Sequence, residues 1–319
     1  MIVERCFEAP RRRIHLQAGE LHAEIWPEAG GAIARFDLHA GGTAPQPLFR
    51  PTPPQDLYSP LELASFPLLP YSNRIRDGHF AFGGAEYRLP RNFHGMKFPQ
   101  HGVGWLLRWS TDAIETDTCE LSLHHAAGTD WPFEFRATQR FTLTPEVLTI
   151  AMTLRNLTST EMPYGMGQHP YFPRPRGTRL RARVAGVWRS DADMLPLQHA
   201  PLPDEWNLAQ GILLDDTFID NCFDGFGGEA LIHWPDGSGL LIDAPPPLEF
   251  LVVYNPPAEQ FFCVEPVTQL SDGFNMAARP GISAGNAGLR TLRSGESATV
   301  RHSFQYLRHA PQAAASPGC

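Results

Sequence analysis

Apolar and polar residues alternate along several short stretches of this chain, with the period of two that is typical of a strand with one buried face. Leu21–Trp26 alternates in this way and, after a glycine-containing turn, Ala32–Leu38 does so again. A second pair, residues 136–141 and 147–154, is joined by a turn at 144–146 and carries β-branched or aromatic residues at alternate positions. Both pairs predict β-hairpins.

The second half of the chain continues this pattern and contains no stretch with convincing helical periodicity. Further strands are predicted at residues 179–184, 230–234, 240–242, 250–254, 261–264 and 298–307. No internal repeat and no change of composition marks a domain boundary. We therefore predict an all-β fold, a large antiparallel β-sandwich over residues 1–308, followed by a disordered Ala-, Pro- and Ser-rich tail at 309–319.

Composition agrees with a folded, turn-rich protein. The 319 residues include 28 Gly and 31 Pro, with 42% hydrophobic and only 19% charged residues. This apolar content is enough for a large core and excludes a disordered chain. The formal charge of −8 argues against nucleic acid as a partner, because phosphate binding needs a basic surface.

Cysteine usage and the lack of long apolar segments predict a cytoplasmic protein. The five cysteines are scattered and never form a CxxC pair, which excludes a disulfide framework and a zinc knuckle. Residues 1–6 lack the basic and then apolar pattern of a signal peptide, and no run has the length of a membrane span. We expect reduced thiols and no membrane partner.

Two classes of chemistry can be excluded from the residue types present. Lys97 is the only lysine and has no P-loop context, so neither Schiff-base nor P-loop chemistry is expected. His124 and His125 are adjacent, and neighbouring side chains on a strand point to opposite faces, so they cannot bind one metal ion and are expected at the surface. Without clustered histidines, a metal-dependent enzyme of the cupin type is not expected, and we predict no metal site.

His169 and Glu265 are the candidate catalytic residues. His169 lies in the segment 167–172 (GQHPYF), and Glu265 follows the apolar run 261–264 (FFCV). A histidine and a carboxylate in one cleft can act as proton donor and proton acceptor. Each also has a purely structural alternative, His169 as a hydrogen-bonded loop residue and Glu265 as a helix cap or the partner of an arginine.

A proline-containing segment, residues 66–78, carries further candidates. Pro67 and Pro70 argue against a central strand or a helix, because proline lacks the N–H group that either would need. We predict an ordered loop that presents Asn73 and Arg74.

Four segments together resemble those of the aldose 1-epimerases (galactose mutarotases), and they occur in that family's order. They are residues 70–75 (PYSNRI), 101–102 (HG), 167–172 (GQHPYF), and 264–266 (VEP) with 272–275 (DGFN). The resemblance extends from about residue 20 to 307. It implies the family's fold, a β-supersandwich of the galactose mutarotase-like type, which agrees with the strand pattern.

The resemblance implies a cofactor-free isomerase that interconverts the α and β anomers of an aldose. His169 would be the general acid that protonates the ring oxygen, and Glu265 the general base that accepts the proton of the anomeric hydroxyl. The ring would open to the free aldehyde, rotate about the C1–C2 bond and close again.

The same resemblance assigns substrate binding to Asn73, Arg74, His101 and Asp220. The guanidinium group of Arg74 can donate two parallel hydrogen bonds to neighbouring oxygens. Asp220 stands among several aspartates, and the family often has histidine at the next position, where this chain has Asn221. The register of this match and the preferred sugar therefore stay open.

Two other functions fit the same residues. A hexose-6-phosphate 1-epimerase would need cations at the phosphate end of the cleft, and Arg74 and Arg76 are close in sequence. A non-catalytic carbohydrate-binding protein on the same scaffold would need neither an acid nor a base. In each case we expect a monosaccharide ligand, no cofactor, and a monomer or homodimer.

Overall fold

The computed structural model describes residues 7–311 except Ala9, Arg11, Thr43 and Asp56. Most of its regular structure is β-strand. In chain order the strands are β1 Phe7–Glu8, β2 Ile14–Ala18, β3 Leu21–Trp26, β4 Ala32–Leu38, β5 Gln46–Pro47, β6 Leu57–Tyr58, β7 Ser65–Leu68, β8 His79–Phe82, β9 Ala85–Arg88, β10 Ser110–Ile114, β11 Thr118–His125, β12 Phe135–Leu143, β13 Val147–Asn156, β14 Met162–Tyr164, β15 Gly167–Pro173, β16 Arg179–Ala182, β17 Gly186–Ser190, β18 Pro196–Ala200, β19 Ile212–Leu213, β20 Ile219–Asp224, β21 Glu229–His233, β22 Gly239–Asp243, β23 Phe250–Asn255, β24 Phe261–Val267, β25 Arg290–Leu292 and β26 Ser297–Leu307.

Helical structure is limited to single turns in the described part of the chain. The α-helical turn α1 spans Gly273–Met276. The 3₁₀ turns are Pro60–Glu62, Arg76–Gly78, Gly104–Leu106, Asp204–Trp206, Leu208–Gln210 and Gly285–Ala287.

Two large sheets form the architecture. The eleven-stranded sheet has the order β18-β17-β20-β23-β24-β15-β7-β4-β3-β2, with β5 paired to β4. The nine-stranded sheet has the order β10-β11-β12-β13-β26-β22-β21-β16-β19. Neighbouring strands within both sheets are antiparallel. The predicted all-β fold of large antiparallel sheets is thus confirmed.

The core lies between the two sheets. The ring of Phe49 lies 5.3 Å from that of Phe172 on β15 and 4.9 Å from that of Phe304 on β26, so one aromatic cluster joins the sheets. A buried polar contact accompanies it, in which Gln168 Nε2 donates to Gln139 Oε1 at 3.0 Å. A buried amide without such a partner would destabilise the core, so this contact fixes β15 against β12.

The two predicted hairpins are present as β3–β4 and β12–β13. The prediction that residues 66–78 contain no central strand was wrong, because β7 lies between β15 and β4. Pro67 is tolerated there since the described pairing of β7 with β4 is limited to Ser65 and Ile33. The missing N–H group of Pro67 therefore has no ladder partner to leave unsatisfied on that side.

The ends of the chain carry two predictions that concern residues outside the described part. Residues 1–6, where no signal peptide is expected, and residues 312–319 of the predicted tail are not described. Shortly before residue 312, Ala310 is buried and its N–H donates to Gly237 O at 2.9 Å. Among the described residues, no helix has the length and apolar character needed to cross a membrane.

Gly102 should be essential for the connection between the segment after β7 and the loop that contains His101. Its φ is +68°, and a Cβ atom would lie 2.0 Å from the carbonyl oxygen of Leu69. Gly95 is a matched control, because its φ is +77° but a Cβ atom would meet nothing within 4 Å. We expect Gly95→Ala to lower the free energy of unfolding by about 1–2 kcal/mol through backbone strain. Gly102→Ala should cost about 1–3 kcal/mol more, because the backbone must move.

Urea denaturation of the two variants and the wild type measures both values. Equal destabilisation by the two substitutions would show that the close approach of Leu69 does not constrain this segment.

Candidate active site

The side chains of His169 and Glu265 meet across two neighbouring strands. In the antiparallel register of β15 and β24, Tyr171 lies opposite Cys263, which places His169 opposite Glu265. The two residues are 7% and 2% exposed, and His169 Nε2 lies 3.3 Å from Glu265 Oε1. The structure therefore brings the two predicted catalytic residues into direct contact.

Two aromatic rings pack against the imidazole of His169. The rings of Phe66 and Tyr171 each stack on it with centroids 4.7 Å away. The guanidinium carbon of Arg50 lies 3.8 Å from the centre of the Tyr171 ring, and Arg50 also donates to the carbonyl oxygens of Leu61 and Leu63. This stack leaves His169 little rotational freedom, which is what a group that transfers protons requires.

Asn73 and His101 are joined by two hydrogen bonds, one between their backbones and one from the backbone of Asn73 to the imidazole of His101. Both have left-handed φ values, 57° and 60°. The N–H of His101 donates to Asn73 O at 2.9 Å, and the N–H of Asn73 donates to His101 Nδ1 at 3.2 Å. Because His101 Nδ1 accepts a hydrogen bond, the neutral ring carries its hydrogen on Nε2 and offers a donor there. The uncommon backbone conformation is of the kind that clusters at functional sites.

Arg74 is fixed by the segment that precedes α1. Its NH1 group donates to Asn73 Oδ1 at 3.0 Å, and its carbonyl oxygen accepts the N–H of Asp272 at 2.8 Å. Ser271 Oγ donates to the same Asn73 Oδ1 at 3.0 Å. Asp272 Oδ1 in turn accepts from Asn275 Nδ2 and from the N–H of Arg76. The segment 272–275 thus acts on the site by positioning the loop that carries Arg74.

Asp220 is the aspartate that the structure brings to this site. It lies on β20 opposite Tyr254, which lies opposite Cys263 on β24, so these side chains share the sheet face of Glu265. Asp215 instead accepts the N–H of Gly177, and Asp224 pairs with His199. The negative charge of Asp220 is close enough to raise the pKa of Glu265.

Burial drives both members of the central pair toward their neutral forms. It lowers the pKa of His169 from 6.5 to about 3, and the positive charges of Arg50 and Arg74 contribute. It raises the pKa of Glu265 well above its ordinary value, with a further contribution from Asp220, while Arg74 opposes this shift. Charged groups lose hydration in such a site, and the neutral forms lose less.

Burial also shifts the pKa values of the flanking residues His101 and Asp220 toward their neutral forms. Burial lowers the pKa of His101 well below 6.5, and electrostatic interactions with His169 and Arg74 act in the same direction, which agrees with its neutral tautomer. Burial raises the pKa of Asp220, and the charge of Arg74 partly offsets this. Arg74 is therefore the cation that favours the ionised forms of both carboxyl groups.

One group of side chains in the described residues could hold a metal ion. It consists of His169, Cys263 and Glu265, whose ligand atoms lie within 4.8 Å of one another.

The two histidines considered from the sequence, His124 and His125, lie elsewhere, on β11. His124 is exposed as predicted, but His125 is buried and stacks on Phe135 at 4.9 Å, so its expected surface position was wrong. A strand with one buried face necessarily sends one of two adjacent residues inward.

Sequence reasoning missed two residues next to the predicted catalytic pair. Cys263 precedes Glu265 by two positions on β24, so strand periodicity alone would have placed both on one face. Arg50 lies far from the other site residues in sequence and reaches them through Tyr171, and no local pattern marks it. Tyr254 shares the sheet face of the site, whereas Trp131 is fully buried in the core against Phe80 and Phe133.

Comparison with known proteins agrees with this geometry. The family model described as aldose 1-epimerase matches residues 12–305. The uncharacterized protein YphB of Escherichia coli K12 is 30% identical over 266 residues, which cover 81% of this chain and 88% of YphB.

Solved structures show the same fold. A protein of Escherichia coli K12 provisionally assigned as an aldose 1-epimerase superposes with a TM-score of 0.81 at 28% identity, covering 92% of this chain and 98% of its own. A galactose mutarotase-like protein of Clostridium acetobutylicum has a TM-score of 0.80 at 21% identity, with coverages of 94% and 98%. On the extent of the family match, this chain belongs to the aldose 1-epimerase family.

Proposed function

We propose that the protein is an aldose 1-epimerase, which interconverts the α and β anomers of an aldose by acid–base catalysis. The observation that carries the proposal is the buried contact of 3.3 Å between His169 Nε2 and Glu265 Oε1. A proton donor and a proton acceptor held side by side match a reaction in which one oxygen of the substrate loses a proton and another gains one.

The proposed reaction opens and closes the sugar ring. Glu265 accepts the proton of the anomeric hydroxyl, C1 and O1 form a carbonyl group, and the C1–O5 bond breaks as His169 protonates O5. After rotation about the C1–C2 bond, O5 attacks the other face of the carbonyl carbon and both protons return. Oxidation states do not change, so the chemistry requires no redox cofactor, and we propose that the enzyme uses none.

The catalytic pair needs one proton in total. In the empty site, burial favours a neutral imidazole on His169 and a protonated carboxyl on Glu265. Transfer of that proton from Glu265 Oε1 to His169 Nε2 produces a carboxylate base and an imidazolium acid together. The positive charge of Arg74 stabilises the carboxylate of Glu265. Hydroxyl groups of a bound sugar can stabilise both ions, because they can contact them where water is excluded.

The surrounding groups suit a polyhydroxylated ligand. His101 Nε2 and the guanidinium group of Arg74 are donors, and Asp220 is an acceptor. A sugar hydroxyl both donates and accepts, so neighbouring hydroxyl groups can satisfy all three. We propose that these residues, with Asn73 fixing the orientation of Arg74, bind the substrate.

A neutral aldose fits the described charges better than a hexose 6-phosphate. Arg76, the second cation considered from the sequence, donates to Asp191 at 2.7 Å and is thereby neutralised. Arg74 already acts on both Asp220 and Glu265, and its charge favours the ionised form of each.

Replacing either member of the pair should remove catalysis but preserve folding. We expect His169→Gln and Glu265→Gln each to lower kcat about 10²–10⁴-fold, which is the usual contribution of a general acid or base. Polarimetry or anomer-resolved NMR on freshly dissolved α-anomers of several aldoses measures the rate above the spontaneous one.

His125→Gln is the matched control, because it replaces a buried imidazole on the other large sheet, and it should retain activity. If the wild type binds aldoses without accelerating their equilibration, the protein is a carbohydrate-binding protein instead.

The same two substitutions should change stability with opposite pH dependence. The folded protein holds the pKa of His169 at about 3 against 6.5 when unfolded, so the unfolded chain binds more protons between these values and stability falls as pH decreases below 6.5. His169→Gln removes this effect and should gain on the order of 1–2 kcal/mol relative to wild type between about pH 7.5 and pH 5.

Glu265 has the opposite sign, because its pKa is raised in the folded state. The folded protein then binds more protons, and stability falls as pH rises above the ordinary range of a glutamate. Glu265→Gln should therefore gain stability relative to wild type as pH increases. Urea denaturation across the pH range checks both slopes, and parallel curves for all three proteins would contradict the assigned shifts.

Phosphate should not act as a competitor at this site. With Arg76 bound to Asp191, we expect low-millimolar inorganic phosphate to leave the rate with neutral aldoses unchanged, and 6-phosphates to be turned over more slowly than the matching neutral sugars. Rates for glucose, galactose and their 6-phosphates provide the measurement. Phosphate inhibition together with faster turnover of a 6-phosphate would assign the enzyme to the hexose-6-phosphate 1-epimerases.

A further inference from the structure

Cys263 is a buried thiol that the proposed reaction does not use. It is 0% exposed, is not part of a disulfide, and lies on β24 two residues before Glu265. Residues two apart on a strand point to the same face, so its Sγ atom joins the catalytic pair. The strand β15 supplies His169 from the neighbouring position. Three different ligand types thus converge from two adjacent strands of a rigid sheet.

The spacing of these ligand atoms is close to that of a zinc site. Zn–N and Zn–O bonds of about 2.0–2.2 Å and a Zn–S bond of about 2.3 Å, in tetrahedral geometry, place ligand atoms roughly 3.3–3.6 Å apart. His169 Nε2 and Glu265 Oε1 already lie 3.3 Å apart, and one ligand atom from each of His169, Cys263 and Glu265 lies within 4.8 Å of the other two. Movement of the thiol by about 1 Å would complete three edges of the tetrahedron.

We infer that this site binds Zn²⁺ through His169 Nε2, Cys263 Sγ and Glu265 Oε1, and that bound Zn²⁺ inhibits the enzyme. The inhibition rests on the proposed function, whereas the binding does not. Zn²⁺ would occupy the two atoms that must exchange protons with the sugar, so substrate turnover and metal binding exclude each other. Three protein ligands leave a fourth position for water.

The charges of the site favour a divalent cation with these ligands. Zn²⁺ with one thiolate and one carboxylate is neutral, and a neutral complex is the form that a buried site accommodates at the lowest cost. Zn²⁺ binding releases the thiol proton, as for any cysteine ligand. The charges of Asp220 and Arg74 have opposite signs and act in opposite directions on Glu265.

The ligand types select the metal. A thiolate and an imidazole favour Zn²⁺ or Co²⁺, whereas Mg²⁺ and Ca²⁺ require oxygen ligands. His169 Nδ1 is buried and has no hydrogen-bond partner among the described residues, so the ring lacks the support that tight zinc sites give their histidines. We therefore expect reversible binding in the micromolar range, which a chelator removes.

Metal binding can be tested without any activity assay. Chelator-treated protein is titrated with Co²⁺, whose thiolate complexes show a near-ultraviolet charge-transfer band, and then with Zn²⁺ as a competitor. The wild type should show this band at one equivalent. Cys263→Ala should lose it, with Zn²⁺ affinity reduced at least about 100-fold, because even the loss of outer contacts to a metal ligand costs 10–100-fold.

Cys222→Ala is the matched control. Cys222 is also buried on this face of the sheet, opposite Val252, which lies opposite Glu265. It should keep the band and the affinity of the wild type. A wild type without the band, or a band that Cys263→Ala retains, would overturn the inference.

The rate assay supplies the second arm. Zn²⁺ should abolish the activity of the wild type and of Cys222→Ala, with recovery on adding a chelator, whereas Cys263→Ala should keep its own metal-free rate. If Co²⁺ binds through Cys263 but the wild type accelerates no aldose, the proposed function fails and the metal site stands. If the enzyme is active and Zn²⁺ does not inhibit it, the inference that bound Zn²⁺ inhibits the enzyme is wrong.

Discussion

The antiparallel register between β15 and β24 is the constraint on which the site depends. It sets His169 against Glu265 on one face of the eleven-stranded sheet, while Gln168 on the other face bonds to Gln139 in the core. A slip of one residue would exchange these faces, because side chains alternate along a strand. It would bury an imidazole against the second sheet and leave the core amide of Gln139 without its partner. The requirements of the core and of the site therefore select the same register.

Burial makes this contact useful and also makes it unfavourable for folding. A solvated histidine and glutamate would form an ion pair at neutral pH, whereas the buried pair here tends toward its neutral form. The protein keeps the imidazole in place by packing, since the rings of Phe66 and Tyr171 both stack against it. Such groups cost stability, and ionisable groups with strongly shifted pKa values cluster at functional sites.

The extent to which the sequence predicts this structure differs between its parts. Hairpins such as β12–β13 were predictable, because their period and their turn lie within one short stretch. The strand β7 was not predictable. The argument against a strand at Pro67 assumed hydrogen-bonded neighbours on both sides, whereas in the fold β7 pairs extensively with β15 and only through Ser65 with β4. For the site, the resemblance indicated His169 and Glu265, but their contact depends on a pairing across about a hundred residues. Arg50 acts through the ring of Tyr171, and no local pattern encodes such a contact.

The residues of the proposed sugar site are held firmly by the backbone. Asn73 and His101 adopt left-handed backbone conformations, which are uncommon for residues other than glycine. Their two reciprocal hydrogen bonds offset that strain and also fix His101 as a donor at Nε2. The backbone N–H of Asp272 likewise holds Arg74 in place by donating to its carbonyl oxygen. The donors are therefore oriented by the backbone in advance, and little of the binding energy of the proposed sugar ligand would have to be used to organise them.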